Sequence, residues 1–145
     1  MTIKRMDHVG VVVEDLPAAV EFFTQLGMEV QGDGSVEGEW VDRIVGLNGI
    51  QVEMAMLRTA SGDAKVELVK FLSPPAEIGE PNAPSNVVGL RHLCFEVEEV
   101  DALVADLRER GHDLVGELVS YGNSYRLCYV HGPEGIIVEL AEPLG

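Results

Sequence analysis

Four residues of this chain have the types and the setting to hold a metal ion: His8, Glu67, His92 and Glu139. Each interrupts an apolar run. His8 opens His8-Val9-Gly10-Val11-Val12-Val13, and His92 opens His92-Leu93-Cys94-Phe95. Glu67 lies in Val66-Glu67-Leu68, and Glu139 in Val138-Glu139-Leu140. A carboxylate within an apolar strand costs several kcal/mol unless it is paired or bound to a cation. Two imidazoles and two carboxylates suit one divalent ion such as Zn, Ni, Co, Mn or Fe. An octahedral ion held by four protein ligands keeps about two positions for water or substrate, which is the catalytic pattern.

The spacing of the four is not accidental. His8 and His92 head two copies of one pattern. At the same offset Val13 falls on Val97, Glu14 on Glu98, Ala18 on Ala102, Gly27 on Gly111 and Gly32 on Gly116. Glu67 and Glu139 match at a shorter offset, so the first copy carries an insertion between its two anchor points. Internal repetition of this kind defines the architecture before any single element does.

The elements that must position the four follow from periodicity. Met6 to Val13 predicts a strand, with His8, Gly10 and Val12 on one face and Val9, Val11 and Val13 on the other. Asp15 predicts an N-cap, Pro17 an early helical position, and Gly27 the helix end. The valine face is the expected bed of that helix, so His8 points to the open side of the sheet. Met28 to Gln31 predicts a second strand entering a turn at Gly32 to Gly34. Residues 39–47 predict an extra short helix, the insertion. Val52 to Arg58 and Lys65 to Phe71 predict a hairpin about Ser61-Gly62-Asp63. Residues 73–87, holding Pro74, Pro75, Pro81 and Pro84, predict a semi-rigid linker. The second copy then predicts a strand over Leu90 to Val97, a helix over Val100 to Arg110 and a strand over His112 to Val119. It closes with a hairpin of Ser124 to His131 and Gly135 to Ala141. The fold class is α+β: two βαβββ modules, residues 1–72 and 88–145, with helices on the outer face.

Composition excludes some partners. A net charge of −15 opposes binding to nucleic acid or to an anionic membrane surface. No apolar run approaches the ~20 residues of a membrane span, and no secretory signal is legible after Met1. Cys94 and Cys128 read as reduced thiols. The expected location is cytoplasmic.

These motifs carry a family resemblance. The chain resembles the vicinal oxygen chelate superfamily, which groups glyoxalases, bleomycin-resistance proteins and dioxygenases. The resembling residues are His8 to Leu16, Val66 to Leu68, Leu90 to Val97 and Gly132 to Leu140. The resemblance implies paired βαβββ modules forming a cup-shaped mixed sheet around one metal, with His8, Glu67, His92 and Glu139 as ligands. It implies modules paired within a chain or between chains, a homodimer, and a small-molecule substrate.

The resemblance also ranks reactions. Glyoxalase I enzymes use two His/Gln-type and two Glu ligands, as here. Methylmalonyl-CoA epimerases share the His-Val-Gly-Val-Val-Val and His-Leu-Cys-Phe-Glu-Val stretches but usually have Gln in place of Glu67. Both polarise a carbonyl with a metal while a carboxylate moves a proton on the next carbon. Ring-cleaving dioxygenases use two histidines and one carboxylate, and Glu67 makes a fourth ligand here. The competing class is a metal-free drug-binding protein. The expected bases are Glu67 and Glu139, with Glu53 and Glu96 behind them. Arg126, Trp40 and Cys94 are the expected substrate contacts. Arg126 enters through a hairpin register in which residue 128 faces 139.

Overall fold

A computed structural model describes residues 2–145. The chain forms two compact units, Met1–Ile78 and Gly79–Gly145.

The first unit contains β1 (Val9–Val12), α1 (Leu16–Gln25), β2 (Glu29–Glu37), α2 (Glu39–Val45), β3 (Gln51–Arg58) and β4 (Lys65–Ser73). Its sheet has the order β1-β4-β3-β2, parallel between β1 and β4 and antiparallel elsewhere. Asp15 caps α1 by accepting a hydrogen bond from the Ala18 amide at 3.0 Å, and Pro17 sits in the first turn. The helix buries Ala19, Phe22 and Phe23. Leu57, Val66 and Leu68 are buried in the sheet, Leu57 and Leu68 completely. Burial of this apolar face, rather than helix propensity, holds so short a helix in place.

The second unit contains β5 (His92–Glu96), α3 (Val100–Glu109), β6 (Val119–Tyr121), β7 (Tyr125–His131), a 3-10 turn (Pro133–Gly135) and β8 (Ile137–Pro143). Its order, β5-β8-β7-β6, repeats that of the first sheet strand for strand. The core is built by Val100, Val104 and Leu107 of α3 with Val130, Val138 and Leu140 of the sheet. Arg91 ties the preceding segment to this unit through the carbonyls of Ala83 and Pro84. The α+β architecture is therefore two four-stranded mixed sheets with three α-helices.

Three local expectations are corrected. The glycines at 32 and 34 form no turn: β2 runs through them, with a register shift between Val30 and Gly32. Glycine inside a strand marks a bulge as readily as a turn. The strand over His112 to Val119 does not form as one piece. Leu114 makes an isolated bridge with Val130, Gly116 interrupts the pairing, and β6 begins only at Val119. The third is the last hairpin, where His131 pairs with Ile137 and Tyr129, not Cys128, faces Glu139. The 3-10 turn makes the connection one residue longer than expected, and a one-residue slip exchanges the faces of a strand.

Candidate metal site

Within the first unit, Gly10 pairs with Glu67 across β1 and β4, and Met56 pairs with Glu67 across β3 and β4. Val66 and Leu68 turn into the core, so Glu67 turns to the open face of the sheet. His8 lies just before β1 on that same face. Its Nε2 is 3.9 Å from Glu67 Oε1, and the two side chains are 36% and 29% exposed. The neighbouring wall is apolar. Met54, in register with Val69, lies beyond Met56. Farther along, Val41 of α2 packs with Ile50, Val52, Val69 and Phe71.

His8 is oriented from behind. Its Nδ1 is 2.8 Å from Asp7 Oδ2. A carboxylate only accepts, so Nδ1 donates to Asp7 and Nε2 is left facing Glu67. Asp7 is itself held by Arg5 at 2.8 Å and lies 3.9 Å from Lys65. The hydrogen bond from His8, then the charge of Lys65, hold the Asp7 carboxyl below its ordinary range. A carboxylate behind a histidine is the usual outer support of a metal ligand.

The second unit builds the same pair with different neighbours. Cys94 pairs with Glu139 across β5 and β8, and Tyr129 pairs with Glu139 across β7 and β8. His92 Nε2 is 3.2 Å from Glu139 Oε1, with side-chain exposures of 37% and 16%. Behind His92, Tyr129 places its hydroxyl 3.4 Å from Nδ1 and its ring 4.8 Å from the imidazole. Burial first, then the charge and hydrogen bond of Glu139, push the Cys94 thiol up to about 11. It is therefore a neutral S–H group at neutral pH.

The donor sets fit a divalent ion. Adjacent N and O ligands of one such ion, each bound at ~2.1 Å, stand about 3 Å apart. The His92–Glu139 separation is close to this, and the His8–Glu67 separation needs a small side-chain movement. Within either unit the structure brings together one histidine and one glutamate. No group of three or more His, Cys, Asp or Glu side chains is gathered for a metal among the described residues.

The other expected site residues fall as follows. Cys94 faces Glu139. Arg126 is on the opposite face of β7 from Tyr129 and donates from Nε and a terminal nitrogen to the two carboxylate oxygens of Asp101 on α3, at 2.8 Å each. The register slip accounts for this: Arg126 lies on the helix side, with its charge already matched. Trp40 is in the first turn of α2 and 59% exposed, while its neighbour Val41 makes the packing contact. Glu53 pairs in register with Lys70 and lies on the other face of β3 from Met54 and Met56. Glu96 follows Cys94 on the His92 face, beside Ala141. Asp7 and Tyr129 are the residues that sequence reasoning missed. Asp7 has no counterpart before His92, where Arg91 stands, so the repeat gave no signal for it. Tyr129 was hidden by the register slip.

The family model for the glyoxalase/bleomycin resistance protein/dioxygenase superfamily matches residues 7–129. A glyoxalase family protein from Bacillus cereus is 46% identical, with a TM-score of 0.96 over 100% of this chain and 97% of that one. The ethylmalonyl-CoA/methylmalonyl-CoA epimerase of Cereibacter sphaeroides is 30% identical over 148 residues, 97% of this chain and 98% of the relative. An antibiotic-binding protein from Streptomyces shares the fold at 23% identity and a TM-score of 0.62, over 99% of this chain and 98% of that one. With twin His/Glu pairs on twin sheets and a family match across most of its length, the chain belongs to the glyoxalase/bleomycin resistance protein/dioxygenase superfamily.

Proposed function

We propose that this chain is a divalent-metal-dependent enzyme that moves a proton on a carbon next to a carbonyl. The reaction is that of a glyoxalase-type lyase or of an epimerase or isomerase, on a small molecule. His8, Glu67, His92 and Glu139 are the metal ligands. One observation carries the reading: in both sheets a half-exposed histidine presents Nε2 to a glutamate at the equivalent register position. Two such pairs among apolar neighbours are costly as bare acids and favourable as ligands. The epimerase relatives support proton transfer as the reaction class. Bound metal would polarise the substrate carbonyl, and a glutamate would take and return the proton. Zn, Ni, Co, Mn and Fe all suit these donors, and availability selects among them. The protein works as a homodimer in the cytoplasm, where its free thiols stay reduced.

The test is elemental mass spectrometry on untagged protein purified without chelator. About one transition-metal ion per chain is expected, with loss of that ion in His92→Ala and Glu139→Ala. Carbonyl compounds are then screened for metal-dependent exchange of the adjacent proton in deuterated water. A second reading has one observation behind it: Val12, Met54, Met56 and Val69 make the open face of the first sheet apolar. Such a wall suits sequestration of a drug-like molecule without chemistry. Protein that takes up no Zn, Co, Ni or Mn yet binds an apolar antibiotic would replace the enzyme reading with this one.

A further inference from the structure

Both histidines stand at the start of a strand ladder. His92 and Ile137 form the first pair of β5 with β8, and the pairing of β1 with β4 opens one residue after His8, at Val9 and Val66. The ends of a ladder open more readily than its middle. Glu139 lies inside its ladder and is paired on both sides, with Cys94 and with Tyr129. His92 is paired on one side only, because β5 is at the edge of its own sheet. The 3.2 Å approach of His92 to Glu139 therefore needs a tie beyond the ladder.

The residue before each histidine supplies such a tie to the start of the neighbouring strand. In the first unit it is a side-chain ion pair: Asp7 lies 3.9 Å from Lys65, the first residue of β4. In the second unit the tie runs through backbone. Arg91 Nε donates to the Pro84 carbonyl at 3.2 Å, and one terminal nitrogen donates to the carbonyls of Ala83 and Pro84 at 2.7 and 3.0 Å. Farther up the same segment, the Pro81 carbonyl oxygen occupies the place that a Cβ of residue 135 would take. Gly135 shortly precedes Ile137, the first residue of β8. Residues 81–84 thus form a strap from the start of β5 to the start of β8. Pro81 and Pro84 have fixed φ, which stiffens it.

We propose that Arg91 is a positioning residue: by holding the 81–84 strap against the Gly135 turn, it fixes His92 relative to Glu139 and so sets the second half of the metal site. This assignment rests on the metal reading above. The two modules reach the same end by different means, an ion pair beside His8 and a guanidinium on backbone carbonyls beside His92. Arginine is the residue that this tie requires. Its planar fork reaches two carbonyls at once, which a lysine ammonium on a flexible stem does not reproduce.

Two measurements on the full chain test this. The Tyr129 ring lies 4.8 Å from the His92 imidazole, so its ring current marks the place of His92 in the proton NMR spectrum. In metal-free Arg91→Ala the His92 ring signals should shift towards those of an unstacked histidine, while the His8 signals stay in place. Calorimetric Zn titration should show binding weakened by about tenfold in Arg91→Ala, with Arg91→Lys between that variant and the wild type. A tie that serves the loop alone would lower the melting midpoint and move neither readout. Arg91→Ala with unshifted His92 signals and wild-type Zn affinity therefore overturns the proposal. If Arg91→Ala fails to fold, as judged by circular dichroism, Arg91→Lys carries the same two readouts: a His92 shift with weaker Zn binding supports the proposal, and wild-type values overturn it. Wild-type protein that binds no Zn overturns the metal reading, and the ring signals, recorded without metal, still decide whether Arg91 places His92.

Discussion

The Tyr129 hydroxyl stands 3.4 Å behind His92 Nδ1, while His92 Nε2 faces Glu139 at 3.2 Å. His8 has the stronger support of the two histidines, a carboxylate that accepts its Nδ1 proton at 2.8 Å. A hydroxyl can donate or accept, so Tyr129 follows whichever tautomer His92 adopts. The ring of His8 is therefore fixed through Nδ1 by a charged partner, and that of His92 by an adjustable one.

Asp7→Asn should therefore harm metal binding more than Tyr129→Phe. The amide can present an N–H to His8 Nδ1 and favour the wrong tautomer, and it lacks the charge held by Arg5. Losses of about ten- to a hundredfold for Asp7→Asn, and at most about tenfold for Tyr129→Phe, are expected by calorimetric Zn titration. Nitrogen NMR shifts of the metal-free protein should show His8 Nδ1 protonated in the wild type and a tautomer mixture in Asp7→Asn.

Added metal should stabilise the fold by mass action. Zn at about a hundred times its dissociation constant adds about 2.7 kcal/mol to unfolding. The melting midpoint should rise with metal concentration, and the rise should vanish in His92→Ala.

Leu140→Ala removes a fully buried side chain behind Glu139. Its cost should be about 2–5 kcal/mol in urea denaturation. Asp15→Ala removes the side-chain cap that Asp15 gives α1 and should cost about 1 kcal/mol. A larger loss for the cap than for the leucine would contradict the packing described.

Gly135→Ala should destabilise the last hairpin. Gly135 has φ +79°, and a Cβ there would overlap the Pro81 carbonyl. Positive φ alone costs a non-glycine residue about 1 kcal/mol or more, and the overlap adds displacement of the 81–84 segment. Hydrogen exchange should show that segment opening in the variant.

The Arg126–Asp101 pair sets a pH dependence. The hydrogen bond from Arg126 lowers the Asp101 carboxyl below its ordinary 3.8. A depressed acid contributes stability above its unfolded value and loses it as pH falls through the folded one. Wild type and Asp101→Asn should therefore differ at neutral pH and converge in strong acid. Both partners are at the surface, so the difference should be small and should shrink in high salt.

Much of this protein was decided along the chain. The doubled His/Glu signature, the Asp15 cap, α2 and the βαβββ order are local or periodic features, and period and capping chemistry act within a few residues. The open-face placement of His8 and Glu67 follows from strand alternation alone. Pairing across strands was decided only in three dimensions. One extra residue in the connection after His131 turned Arg126 to Asp101 and brought Tyr129 to His92 and Glu139. A bulge carried β2 through glycines that would equally suit a turn. Asp7 became a partner of His8 only through its side-chain conformation, held by Arg5. Register and rotamer depend on the sum of contacts from distant segments, whereas periodicity and capping depend on neighbours. That is why the two His/Glu positions were legible in the sequence and the groups that orient them were not.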